Sequence, residues 1–197
     1  MQFAQIIMIL LIFLNFWILG VSRIRSYIKI LSYQGVLIGL IPILRLNLEM
    51  VTLGIIVLLL KAIIFPRLLL RMSKKIKATK EEKPYISLAL APLLGALFLL
   101  IASRISYELM TPIFIIIVGF FLTITRRKAI NQIISFMIFE NGIFILGFTM
   151  AAHFPIIVEM AILLDVLAAV SVMVLSLDKI NQTFTHTDVD KLDSLKG

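Results

Sequence analysis

The sequence contains no cysteine. Disulfides, cysteine-ligated iron–sulfur clusters and cysteine-bound metals are therefore excluded from this chain. Only two histidines occur, His153 and His186, far apart and in or near loops, which disfavours a two-histidine haem site. Acidic residues are also scarce: 11 Asp and Glu against 19 Lys and Arg leave a formal net charge of +8. No Gly-rich phosphate loop, nucleophile elbow or metal-ligand spacing is present, so the sequence shows no machinery for small-molecule catalysis. What abounds is apolar surface, with 61% hydrophobic residues and a mean hydropathy of +1.09. Soluble domains sit nearer half apolar, so composition alone indicates a membrane protein.

Apolar length and loop punctuation divide the chain into seven segments, roughly 3–21, 31–48, 50–70, 85–103, 109–125, 130–151 and 156–177. The expected fold is all-α and polytopic, with about seven transmembrane helices, the N-terminus outside and the C-terminus cytoplasmic. The first run has no basic stretch before it and no small-residue cleavage pattern after it, which reads as a retained helix. With this orientation the cytoplasmic segments 22–30, 71–84, 126–129 and the tail, with their helix ends, hold sixteen of the nineteen basic residues. Arg45 and Arg104 fall outside, and Lys61 lies within a helix. The basic excess is thus an orientation signal. Nucleic-acid binding is disfavoured, because no aromatic-interleaved basic face accompanies the charge. The loop "SKKIKATKEEKP" reads as a solvated connector. In the tail, Thr187 and Asp190 fit a capping box before a short helix carrying Leu192 and Leu195, which frays in solvent or docks on a partner.

Four ionisable residues lie within the spans: Lys61, Glu140, Glu159 and Asp165. A charge at mid-bilayer costs at least about 2.5–3.5 kcal/mol on the insertion scale, so each needs a partner, water or neutralisation. Lys61 lies about 9 Å of helix rise from Arg67, and its stem either snorkels toward the surface or supplies a buried charge. Glu159 lies about one turn from the outer end of its helix. Asp165 lies near the middle of that helix and is too short to snorkel. The connection "AAHFP" is short, so the last two helices should be antiparallel neighbours. Counting from its centre puts Glu140 and Asp165 at nearly the same depth, where two carboxylates could share a proton. Asn141 can hydrogen-bond laterally and Gly142 permits close helix approach. The bland alternative is a polar clasp that only locks the helices.

The stretch "FENGIFILGFTMAAHFPIIVEMAILLDVLAAVSVMVLSLDKINQTF", with the later "TDVDKLDSLKG", resembles the C-terminal half of the hydrogenase-4 component E family. These are membrane subunits of group 4 nickel–iron hydrogenase and formate hydrogenlyase-type complexes. The resemblance is strongest over 125–197 and continues through "LLLKAIIFPRLLLR", where Lys61 and Pro66 match a recurrent Lys…Pro pattern. Residues 109–178 are similar to the three-helix subunit K of respiratory complex I and to its small counterpart in Mrp-type antiporters. Those small proteins carry a glutamate where this chain has Met137, and the acid here is Glu140. The resemblance implies three parts: membrane helices one to four with the basic loop 71–84 (1–108), a three-helix subunit K-like segment (109–178) and a cytoplasmic tail (179–197).

It further implies a non-catalytic subunit in a prokaryotic cytoplasmic membrane, within a hetero-oligomer of antiporter-like membrane subunits and hydrogenase-like peripheral subunits. Nickel–iron and iron–sulfur centres would belong to those partners, with no cofactor in this chain. The expected role is redox-driven ion translocation, with Glu140, Asp165, Lys61 and Glu159 as proton-relay residues supported by Asn141 and Gly142. The alternatives are an assembly subunit that seals membrane modules without carrying protons, and an autonomous ion transporter.

Overall fold

In a computed structural model of the chain, the structure describes residues 2–44, 46–75 and 85–150. Regular structure among the described residues is entirely helical: α1 (Gln2–Leu19), α2 (Ile24–Ile43), α3 (Leu48–Val57), a π-helical turn (Leu58–Ile64), α4 (Phe65–Lys75), α5 (Leu90–Ser103), α6 (Tyr107–Thr125) and α7 (Ala129–Met150). Helices Ile24–Ile43, Leu48–Lys74, Tyr107–Thr125 and Ile130–Met150 are long and apolar enough to cross a membrane. Phe3–Leu19 and Leu90–Ser103 are shorter apolar helices. The expected seventh segment, 156–177, the tail and its capping box lie outside the described residues.

Two boundaries differ from the expected ones for the same reason. The second segment begins at Ile24 rather than at 31, because residues 24–30 form an amphipathic start to α2. Ile24, Tyr27, Ile28 and Leu31 are buried at helical spacing while Arg25 and Lys29 face outward, so the apolar run understates the helix. Helix α2 ends at Ile43, one residue after Pro42, and the left-handed backbone of Leu46 (φ 53°) prevents continuation. Helix α4 likewise runs to Lys75, with Leu69 and Ser73 buried and Arg67, Arg71 and Lys74 exposed. At the start of α5, Leu90 N–H donates to Ser87 Oγ (3.3 Å) and to Ser87 O (3.1 Å), which sets the first turn five residues later than the apolar run suggests. Ser106 caps α6 by accepting from Leu109 N–H at 3.3 Å.

Helix α7 packs between α6 and α2, while α1 touches α2, α5 and α6. The α3–π–α4 rod lies along α2. The core, with Leu11, Ile18, Tyr27, Ile38, Phe114, Val118, Ile134 and Ile138, runs between these helices. Gly119 lets α6 approach α7 closely, since a Cβ there would collide with the backbone of Phe139. At one end the turns are tied together by Arg126. Its guanidinium is buried over the Tyr27 ring (5.2 Å) and donates to the carbonyls of Leu19 and Val21, each at 3.4 Å. Beside it, Arg127 stacks on Tyr85 at 4.2 Å, and Tyr85 N–H donates to Thr125 O at 3.1 Å. The α1–α2 turn, the α6–α7 turn and the residues leading into α5 therefore share the end rich in basic residues. Arg126, counted from sequence as a loop charge, is in fact a structural latch.

Candidate functional site

Lys61 stands in the middle of the π-helical turn and is only 4% exposed. Its Nζ donates to Glu140 Oε1 of α7 at 2.5 Å, and Glu140 is 1% exposed. The same ammonium donates to Asn141 Oδ1 at 3.0 Å and sits 5.4 Å from the Phe144 ring centre. Asn141 Nδ2 in turn donates to Gln34 Oε1 of α2 at 3.3 Å, and Gln34 is fully buried. A polar chain, Gln34–Asn141–Lys61–Glu140, thus crosses from α2 through α7 to the π turn inside apolar surroundings. Its free ends are complementary. Among the described residues, Gln34 Nε2 and Glu140 Oε2 are buried with no hydrogen-bond partner. One oxygen of the carboxylate is held by the ammonium and the other, among the described residues, is open to a donor or a proton.

Lys61 does not snorkel. Pairing with a carboxylate offsets the cost of burying the charge, which an isolated ammonium would avoid only by reaching the surface. The chain backbone is shaped for this arrangement. Phe65 N–H donates five residues back to Leu60 O, the π pattern. Pro66, next in line, has no N–H to give to Lys61 or Ala62. The Ala62 carbonyl is satisfied from α2 instead, by Ser32 Oγ donating at 2.6 Å. Helix α2 can come this close because residue 35 is glycine. A Cβ there would lie 2.6–2.7 Å from Lys61 C, Lys61 O and Ala62 N. One turn on, a Cβ at Gly39 would lie 2.8–3.0 Å from Leu58 Cβ, Cα and N. On the far side of α7, a Cβ at Gly142 would meet Ile116 at 2.7 Å and Pro112 O at 3.0 Å, so this glycine admits α6.

Of the residues singled out from sequence, the structure brings together Lys61, Glu140 and Asn141, with Gly142 adjacent at a helix contact. Glu159 and Asp165, and so the expected pairing of Glu140 with Asp165, lie outside the described residues. Met137 is buried in the core one turn before Asn141. Sequence reasoning missed Gln34 and Ser32, which bear no charge and sit beside the expected loop. The signal that could have found them is Gly35-x-x-x-Gly39, the small-residue spacing of close helix contacts.

The family described as NADH-ubiquinone/plastoquinone oxidoreductase chain 4L matches residues 107–197. An uncharacterized protein of Mycobacterium tuberculosis is 29% identical over 190 residues, covering 88% of this chain and 86% of its own length. Hydrogenase-4 component E of Escherichia coli K12 is 28% identical over 149 residues, 70% of this chain and 69% of that protein. The same protein of Shigella flexneri gives the same identity and coverage. No solved structure matches the chain with significance. The matched stretch begins at the first residue of α6 and takes in Glu140 and Asn141, whereas Lys61, Ser32 and Gln34 precede it. The chain is thus an integral membrane protein that matches the oxidoreductase chain 4L family over residues 107–197 and is similar to hydrogenase-4 component E over most of its length.

Proposed function

We propose that this chain is a non-catalytic membrane subunit of a complex I-related, redox-driven ion-translocating complex, and that the Lys61–Glu140 pair lies on its proton path. The observation that carries this reading is the pair itself: a carboxylate buried in a membrane-length helix, one oxygen held by an ammonium and the other without a partner among the described residues. Such a group can accept a proton on its open oxygen while the lysine compensates its charge. Intramembrane ionisable groups facing a protein interior mark ion pathways by default. In this reading Asp165, at matching depth by residue count, exchanges the proton with Glu140, and Glu159 lies nearer the outer exit. The similarity to hydrogenase-4 component E supports a multi-subunit membrane complex; in this reading nickel–iron and iron–sulfur chemistry lies in partner subunits and the complex sits in a prokaryotic cytoplasmic membrane.

The test replaces Asp165 by Asn and Glu140 by Gln in the intact complex, in inverted membrane vesicles. Proton movement coupled to the redox reaction should fall about a hundredfold, the lower end of what a positioned proton-transfer group contributes. The amount of assembled complex should fall far less. Normal proton movement in both variants would remove these carboxylates from the path.

A second reading, an assembly subunit that carries no protons, is favoured by one observation. The polar chain joins α2, the π turn and α7 at the place where Gly35 and Gly142 make the helix contacts tight. It predicts the reverse pattern: less complex, with coupling in the remaining complexes unchanged.

A further inference from the structure

We infer that Ser32 is a positioning residue for Lys61: its hydroxyl, bonded to the Ala62 carbonyl, holds the π turn in the form that aims the lysine at Glu140. The inference rests on the reading of Lys61–Glu140 as a functional pair for its importance, but its geometry is independent of that reading. A π turn contains one residue more than the α turn it replaces. Tightening it to the α pattern would rotate everything beyond it by roughly 100° relative to what precedes it. Lys61 and Ala62 are the buried residues of this turn, between the exposed Leu59 and Ile64. The segment must therefore keep its register for the ammonium to face α7 rather than the outside of the bundle.

Two features favour the π form locally. Pro66 cannot make the i→i−4 hydrogen bond to Ala62 O that an α-helix needs. Ser32 satisfies that carbonyl from a different helix, at 2.6 Å across thirty positions of sequence. The bond is directional, and it is anchored on α2 two residues before Gln34, which holds the other end of the polar chain through Asn141. Ser32 and Gln34 thus fix the lysine's backbone and its side-chain partner from one helix. Gly35, against the Lys61 carbonyl, allows the close approach on which both bonds depend.

The test is a double-mutant cycle between K61M and E140Q on the assembled complex, reading its resistance to graded detergent. The cycle is run with Ser32 intact and again with S32A, S32T and S32A/P66A. With Ser32 intact the two substitutions should be strongly non-additive. In S32A the non-additivity should fall by at least about half, and in S32T, which keeps a hydroxyl, it should return. P66A restores an N–H four residues after Ala62, so S32A/P66A should recover resistance to detergent without recovering the Lys61–Glu140 coupling. S32T and S32A/P66A decide the question even where S32A alone does not assemble. Undiminished non-additivity in S32A would overturn the inference, because Ser32 would then be ordinary packing. Recovery of coupling along with stability in S32A/P66A would also overturn it, since any donor to Ala62 would then suffice. Proton movement is recorded in the same complexes. Lost coupling with normal proton movement would sink the proton-path reading and leave the positioning role of Ser32 standing.

Discussion

Replacing Lys61 by Met should destabilise the assembled protein by about 3–5 kcal/mol, the cost of breaking a buried ion pair from one side. The methionine fills most of the space of the lysine stem, so the loss is electrostatic rather than a cavity. The pair is asymmetric, and the asymmetry gives the prediction its content. Without the ammonium, Glu140 loses the donor to Oε1, and Oε2 has none among the described residues. The carboxylate would then be buried with neither oxygen satisfied. With E140Q, by contrast, the lysine keeps Asn141 Oδ1 at 3.0 Å, the face of Phe144 and an amide oxygen where the carboxylate oxygen stood. E140Q should therefore cost clearly less than K61M. The double variant K61M/E140Q removes both charges and should recover about 2 kcal/mol or more of the K61M loss, within the range of coupling between residues in contact. Detergent-resistance curves of the three complexes measure these differences. Equal costs for K61M and E140Q would mean that water, another group or an added proton relieves Glu140. A recovered double variant that assembles but moves no protons would separate the structural use of the pair from its proposed use in transport.

The halves of this site differ in how legible they are from sequence, and the difference is physical. Lys61 and Glu140 stand out because a charge inside a membrane-length apolar run is costly and so rarely incidental. Asn141 stands out by adjacency. What no single run encodes is which charge meets which. Depth counting works across a short hairpin such as "AAHFP", where both helices start from a common point, and it points from Glu140 to Asp165. It does not connect Lys61 with Glu140, 79 residues apart and separated by several turns. That contact depends on α2 being thin enough at Gly35 and Gly39 to bring the π turn beside α7. Ser32 and Gln34 are hidden for a related reason. They bear no charge, and the helix that carries them starts with an amphipathic turn that apolar-run counting assigns to a loop. The all-helical class and the main apolar segments follow from the length and punctuation of the apolar runs, whereas helix ends depend on capping by Ser87 and Ser106 and on amphipathic extensions at Ile24 and Lys75.

Gly35→Val should damage the protein more than any other single change on α2, because it attacks the packing and the site together. A Cβ at this position would meet only backbone: Lys61 C at 2.6 Å, Lys61 O and Ala62 N at 2.7 Å. Flexible side-chain ends can swing away from such a contact, but these atoms belong to the π turn itself. The helices must separate or the turn must reshape. Overpacking alone costs about 1–3 kcal/mol in a well-packed interior. Separation adds the Ser32–Ala62 bond at 2.6 Å and stretches the Asn141–Gln34 bond, already 3.3 Å long. Each lost bond leaves a polar group buried without a partner, at about 1–3 kcal/mol apiece. The control is a glycine whose Cβ would make only ordinary van der Waals contacts. A Cβ at Gly20 meets nothing nearer than Trp17 O at 3.8 Å and Pro92 Cγ at 3.9 Å, so Gly20→Ala should be nearly silent. Gly35→Ala adds only the first carbon and should fall between the two. If Gly35→Val assembles as well as Gly20→Ala, then α2 does not lie against Lys61 as described. The close approach that carries both the ion pair and the role of Ser32 would then be lost with it.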